Sequence, residues 1–145
     1  SAVQDKAVAA KKKVAVEAKE ESSSSDEEDA AEKNAMRVEG LKAKGNAAFA
    51  KKEFSAAAAQ YSVACRLDPQ NHVLFSNRSA SYAGLQEWDK AKEDAVKVIK
   101  MKPDWPKGYS RLGAAFHGKN EWKDAVDAYK QGLEFDPDNA QLKDG

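Results

Sequence analysis

Hydrophobic and polar positions divide this 145-residue chain into two regimes. From residue 38 onward, apolar and small residues recur at helical spacing, in segments broken by short polar turns. First helices are expected near 38–51, 72–85 and 106–119. Each is followed by a second helix, near 54–67, 88–101 and 122–135. No strands are expected. The punctuation is periodic: Pro69, Pro103 and Pro137 lie 34 residues apart, in the phrases Leu67-Asp68-Pro69, Met101-Lys102-Pro103 and Phe135-Asp136-Pro137. Aligned on them, the units 38–71, 72–105 and 106–139 share small eighth positions (Gly45, Ser79, Gly113) and an alanine at the twentieth (Ala57, Ala91, Ala125). The eleventh positions are Ala48, Tyr82 and Phe116, and the twenty-fourth are Tyr61, Ala95 and Tyr129. Small residues facing large ones let two antiparallel helices approach closely. Pro106 opens the third unit without loss, because the first helical position has no intrahelical N–H partner.

Residues 1–37 carry no such pattern. All 12 aromatic residues lie at or after Phe49, the first leucine is Leu41 and the only isoleucine is Ile99. With nothing large to bury, this segment is expected to stay disordered. Its charges are sorted, Lys11, Lys12 and Lys13 forming a basic run and Asp26, Glu27, Glu28 and Asp29 following the serines Ser22 to Ser25. Ser23, Ser24 and Ser25 each have an acidic residue three positions on, and so resemble phosphorylation sites of acidophilic kinases. The plainer alternative is a solvated linker. The tract is also similar to those of nucleolar phosphoproteins, which leaves a nuclear or nucleolar scaffold driven by this tail as an alternative function.

Charge and cysteine content narrow the function classes. With 24 Lys+Arg against 24 Asp+Glu the formal charge is zero, which argues against a generic polyanion binder, and no nucleic acid is expected to bind the repeats. The neutrality is a cancellation: residues 1–37 hold 7 basic and 9 acidic side chains, the remainder 17 and 15. A lone cysteine, Cys65, excludes an internal disulfide framework and reads as a small core filler. There is no apolar signal core and no run of about 20 apolar residues. A monomer in the cytoplasm is expected, with nuclear traffic open and no membrane partner.

The 34-residue period, the small first-helix residue, the second-helix alanine and the closing proline resemble the tetratricopeptide repeat. That resemblance implies an all-α fold, three helix hairpins stacked in a right-handed α-solenoid, with residues 140–145 starting a capping helix that Gly145 cuts short. Val126, Tyr129 and Leu133 are then expected to be partly exposed or covered by a partner. In such a solenoid the first helices line the concave side, through positions 2, 5, 6, 9, 12 and 13 of each unit. Lys42 and Asn46 are four apart and share a helix face, as do Lys107 and Arg111. Asn77 occupies in unit two the position of Arg111 in unit three. Ser76, Ala80, Ala83 and Ala114 are small and leave room along the groove, and His117 and Gly118 fall at positions 12 and 13.

The phrases Lys42-Ala43-Lys44-Gly45-Asn46, Ser76-Asn77-Arg78-Ser79 and Lys107-Gly108-Tyr109-Ser110-Arg111 match the two-carboxylate clamp of chaperone-binding tetratricopeptide domains. The match implies that Lys42, Asn46 and Asn77 hold the terminal carboxylate of a C-terminal Asp, while Lys107 and Arg111 hold side-chain carboxylate and peptide oxygens. The stretches Asn71 to Ser79 and Lys102 to Ala115 are similar to the first such domain of the Hop/Sti chaperone-organising proteins, especially plant ones. That similarity implies a non-catalytic adaptor for the seventy-kilodalton heat-shock chaperone tail ending Glu-Glu-Val-Asp. The ninety-kilodalton chaperone tail, ending Met-Glu-Glu-Val-Asp, stays open as the alternative. Pro106, where that family commonly has Gly, is expected only to stiffen the helix start.

No catalytic constellation is legible. His72 and His117 lie in different units, and there is no Gly-rich phosphate loop, paired-cysteine metal motif or His-x-x-x-His pair. No cofactor and no metal are expected. Trp88, Trp105 and Trp122 fall near helix starts, where a packing role is expected.

Overall fold

The computed structural model describes residues 24–138. The expected capping helix at 140–145, the basic run at 11–13 and Ser23 lie outside these residues. The chain divides into two compact units, one ending at Arg37 and one beginning at Val38. Six helices span the described residues: α1 Ser24–Ala50, α2 Phe54–Leu67, α3 His72–Gly84, α4 Trp88–Met101, α5 Pro106–Gly118 and α6 Trp122–Leu133.

In the first unit, residues 24–37 are helical where disorder was expected, and residues 25–37 are all exposed. Disorder was inferred from the lack of anything to bury. Backbone preference opposes that inference: Ala30, Ala31 and Ala35 with Glu27, Glu28 and Glu32 lose little entropy in a helix. Asp26 and Glu27 sit in the first turn, where a negative charge meets the positive end of the helix dipole.

In the second unit consecutive helices pack as antiparallel pairs, and α5 lies against both α3 and α4. Among the described residues there is no strand. The three turns within hairpins have one geometry. Lys52, Gln86 and Asn120 each take positive φ, at 62°, 59° and 62°. Each turn sends the next N–H back into the preceding helix, from Glu53 to Ala48, Glu87 to Tyr82 and Glu121 to Phe116. Such a left-handed residue satisfies the last carbonyls of a helix and reverses the chain. The turns between hairpins carry Pro69 and Pro103. After the first, Asn71 caps α3, its side chain accepting from the Val73 N–H at 3.1 Å.

Volume complementarity holds each hairpin together. A Cβ on Gly45 would stand 2.5 Å from the Tyr61 ring, and one on Gly113 would stand 2.4 Å from the Tyr129 ring. In the middle unit Ser79 replaces the glycine and Ala95 the tyrosine, both buried, and the Ser79 hydroxyl donates to the Ala91 carbonyl at 2.8 Å. Neighbouring hairpins are joined by a second pairing, in which Phe54 covers Gly84 and Trp88 covers Gly118. The main core gathers Val38, Ala57, Tyr61, Ala64, Cys65, Leu74, Phe75 and Val98, with Trp105 packed at its edge.

Tyr129 is buried, which corrects the expectation that it would be partly exposed, because its ring fills the space above Gly113. Val126 is exposed and Leu133 half-buried. Trp122, the counterpart of Phe54 and Trp88, remains 56% exposed and, among the described aromatic rings, meets only that of His117, edge to face.

Candidate functional site

Packing α1, α3 and α5 side by side brings one face of each helix to a common groove. It holds a cleft of about 220 Å³ lined by Asn46, Phe49, Ala50, Tyr61, Asn77, Ala80 and Arg111. Three of the five expected carboxylate-holding residues, Asn46, Asn77 and Arg111, therefore meet at one cavity from three different helices. Lys42 and Lys107 do not line it. They stand one turn before Asn46 and Arg111 on the same helix faces.

The amide and guanidinium groups are held by specific partners. Asn46 Oδ1 accepts from the Tyr61 hydroxyl at 2.6 Å and from Asn77 Nδ2 at 3.4 Å. Arg111 Nε donates to Ser76 Oγ at 3.2 Å, and Ser76 is fully buried. The two terminal nitrogens of Arg111 have no acceptor, and the guanidinium no acidic partner, among the described residues. Burial lowers the Arg111 guanidinium below its ordinary value, while Tyr61 acts in the opposite sense. It remains charged, since an arginine is not deprotonated in a protein. Burial raises the Tyr61 phenol, with Arg111 opposing, so the hydroxyl keeps its proton and donates at neutral pH.

Arg78 shows what a compensated cation looks like in the same fold. It donates to both carboxylate oxygens of Asp94, at 2.8 and 2.7 Å, and to Ser62 Oγ at 3.3 Å. Lys42 has a surface partner, Glu39 at 3.5 Å, a contact worth little and readily exchanged. Lys107 is exposed and lies over the Trp105 ring at 5.8 Å. The cleft thus presents charge and N–H donors without an internal carboxylate.

Of the residues expected to line the groove, Ala80 reaches the cleft and Ser76 supports Arg111 from beneath. Ala83 and Ala114 are half-buried and lie outside the cleft lining. His117 is exposed and turned onto Trp122, with ring centres 4.9 Å apart. Gly118 packs beneath Trp88. Phe49 and Ala50 were not singled out, although they occupy positions 12 and 13 of the first unit. Tyr61 was identified for packing only, since nothing in the period reveals that its hydroxyl reaches a neighbouring helix.

Residues 106–139 match the tetratricopeptide repeat. The chain is similar to the heat shock protein sti1 homolog of Schizosaccharomyces pombe, 50% identical over 107 residues, or 74% of this chain and 18% of that protein. It is also similar to the Hsp70-Hsp90 organizing protein of Triticum aestivum, 52% identical over 104 residues, 72% of this chain and 18% of that protein. The chain thus spans under a fifth of the length of these relatives. Among solved structures it resembles the Sgt2 TPR domain from Aspergillus fumigatus, with a TM-score of 0.71, 36% identity, and coverage of 74% of this chain and 72% of that one. The first TPR of Spaghetti (RPAP3), bound to the HSP90 peptide SRMEEVD, aligns with a TM-score of 0.72 and 29% identity, covering 75% of this chain and 86% of that one.

Proposed function

This chain belongs to the tetratricopeptide-repeat family, its repeats matching those of Sti1/Hop-type co-chaperones, and from that premise we propose that it is an adaptor for a chaperone's C-terminal tail. The peptide is the Glu-Glu-Val-Asp terminus of the seventy-kilodalton heat-shock chaperone. Lys42, Asn46, Asn77, Lys107 and Arg111 hold its two terminal carboxylates. The observation that carries this reading is Arg111: a desolvated guanidinium with no acidic partner among the described residues, beside two amides in an open cleft. A terminal Asp supplies two carboxylates on adjoining carbons, which satisfies several donors at once. Lys42 and Lys107, one turn away, extend the positive field along the tail. Ala80 leaves room for the peptide backbone, as do Ala83 and Ala114 further along the groove.

The tail of the ninety-kilodalton chaperone is the second reading. It is favoured by the peptide named for the Spaghetti structure and by the double name of the wheat relative. Both readings place the protein in the cytoplasm as a monomeric, non-catalytic partner. Among the described residues no helix is long and apolar enough to cross a membrane.

Calorimetry with both tail peptides, each as free acid and as C-terminal amide, tests the proposal. Tight binding of the acids and much weaker binding of the amides is expected, with the seventy-kilodalton tail preferred. Arg111→Ala or Lys107→Ala costs about 2–5 kcal/mol of binding, the scale for a desolvated charge pair that loses a partner. Equal affinity for acid and amide, or unchanged affinity in both variants, overturns the clamp.

A further inference from the structure

The carboxylate site rests on the orientation of one amide. An asparagine side chain can turn over and exchange its N–H donors for an acceptor oxygen, and the two orientations differ little in shape. With Nδ2 toward the groove, Asn46 attracts a carboxylate. With Oδ1 toward the groove, it repels one. Two contacts favour the first orientation by occupying the oxygen: the Tyr61 hydroxyl at 2.6 Å and Asn77 Nδ2 at 3.4 Å both converge on Asn46 Oδ1, which leaves Nδ2 as the donor for a ligand. The Asn77 contact is at the long end of hydrogen bonding, so the phenol is the stronger constraint.

Repeat packing alone does not require that hydroxyl. Tyr129 occupies the same position in the third unit, with its ring on Gly113 as the Tyr61 ring is on Gly45. The residue after Gly113 is Ala114, which has no side-chain acceptor, and the Tyr129 hydroxyl has no partner among the described residues. The ring serves the fold in both units, whereas the hydroxyl has a partner only where an Asn follows the glycine. Burial keeps the Tyr61 phenol protonated, and a protonated phenol beside an amide oxygen donates to it.

We propose that Tyr61 is a positioning residue, whose hydroxyl fixes the Asn46 amide with its Nδ2 toward the groove and thereby sets the donor pattern for the peptide's terminal carboxylate. The inference deepens the function proposed above and rests on it. In the full chain, Tyr61→Phe retains the ring above Gly45 and removes only the hydroxyl. It is expected to weaken binding of a peptide ending Glu-Glu-Val-Asp as the free acid by about three- to tenfold, the worth of one neutral hydrogen bond. The C-terminal amide of the same peptide loses little. Melting temperature changes little, Tyr129→Phe leaves affinity unchanged, and in an Asn46→Ala background Tyr61→Phe has no further effect.

A second measurement needs no ligand. In the free protein, the side-chain amide resonances of Asn46 in a ¹⁵N spectrum move on Tyr61→Phe and stay in place on Tyr129→Phe. Wild-type affinity in Tyr61→Phe, an equal loss in the Asn46→Ala background, or unmoved Asn46 resonances overturns the positioning role. If the wild-type protein binds acid and amide alike, the clamp itself fails and the positioning role falls with it. Resonances that move while affinity does not would instead leave the clamp standing and reject only Tyr61 as its organiser.

Discussion

At the scale of single residues, the glycines of this chain are not equivalent, and their surroundings predict opposite effects for one substitution. Ala is preferred to Gly in a helix interior by roughly 1 kcal/mol. At Gly40, on the exposed face of α1, an added Cβ meets nothing within 4 Å. Gly40→Ala is therefore expected to raise stability by about 0.5–1 kcal/mol. At Gly45 the same methyl group overlaps the Tyr61 ring, and at Gly113 it overlaps Tyr129. Overpacking a fitted core costs about 1–3 kcal/mol, which exceeds the helix gain. Gly45→Ala has an additional consequence: displacing the Tyr61 ring carries its hydroxyl away from Asn46, so peptide affinity falls along with stability. Gly113→Ala lowers stability without that specific loss. Urea unfolding and calorimetry on the three variants separate these outcomes, and a stabilised Gly45→Ala would refute the close packing.

At the scale of elements, the period of 34 residues was legible because a few positions have only one workable chemistry. Pro69 and Pro103 sit where the chain must leave a helix, and the alanines at the twentieth position sit where two helices nearly touch. Asn46, Asn77 and Arg111 were legible for a related reason, since the repeat turns sequence spacing into a common face. The Tyr61–Asn46 bond spans 15 residues and two helices, and no local pattern encodes it. Residues 24–37 failed in the opposite direction: the lack of large side chains was read as disorder, while local helix preference prevailed. If preference alone sustains that part of α1, Ala31→Gly should weaken it by about 1 kcal/mol. Circular dichroism would then report lost helix, with the repeat domain's melting temperature unchanged. A shared loss of both would show that these residues are held by more than their own backbone.

At the scale of the repeat domain, a buried ion pair ties together the two helices of the second hairpin and reaches the first hairpin through a single hydrogen bond. Arg78 on α3 joins Asp94 on α4 and Ser62 on α2, with the rings of Phe75 and Tyr82 at 5.2 and 5.7 Å. Asp94 is only 2% exposed. Asp94→Ala leaves the guanidinium without its carboxylate, at a cost of about 3–5 kcal/mol. Domains of this size are stable by roughly 5–15 kcal/mol, so a drop in melting temperature of more than about 10 °C is expected.

Cys65 reports the same event chemically. Burial, the largest influence, pushes its thiol from 9.0 up to about 11, with Arg78 opposing and Asp94 reinforcing the shift. At pH 8 the folded protein exposes almost no thiolate, and a disulfide reagent must wait for the fold to open. Asp94→Ala should speed that labelling in proportion to the larger open population. The pH dependence has a fixed sign. The folded thiol holds its proton more tightly than the unfolded one, so its contribution is complete below the unfolded value near 9 and is lost as pH rises through about 11. Raised Tyr61 and Tyr129 act in the same sense. Melting temperature should therefore decline across this alkaline window, and Cys65→Ala should flatten the lower part of the decline. Fast labelling of the wild-type protein at pH 8 would show that Cys65 is open to solvent and that the core beneath the first two hairpins is looser than its packing indicates.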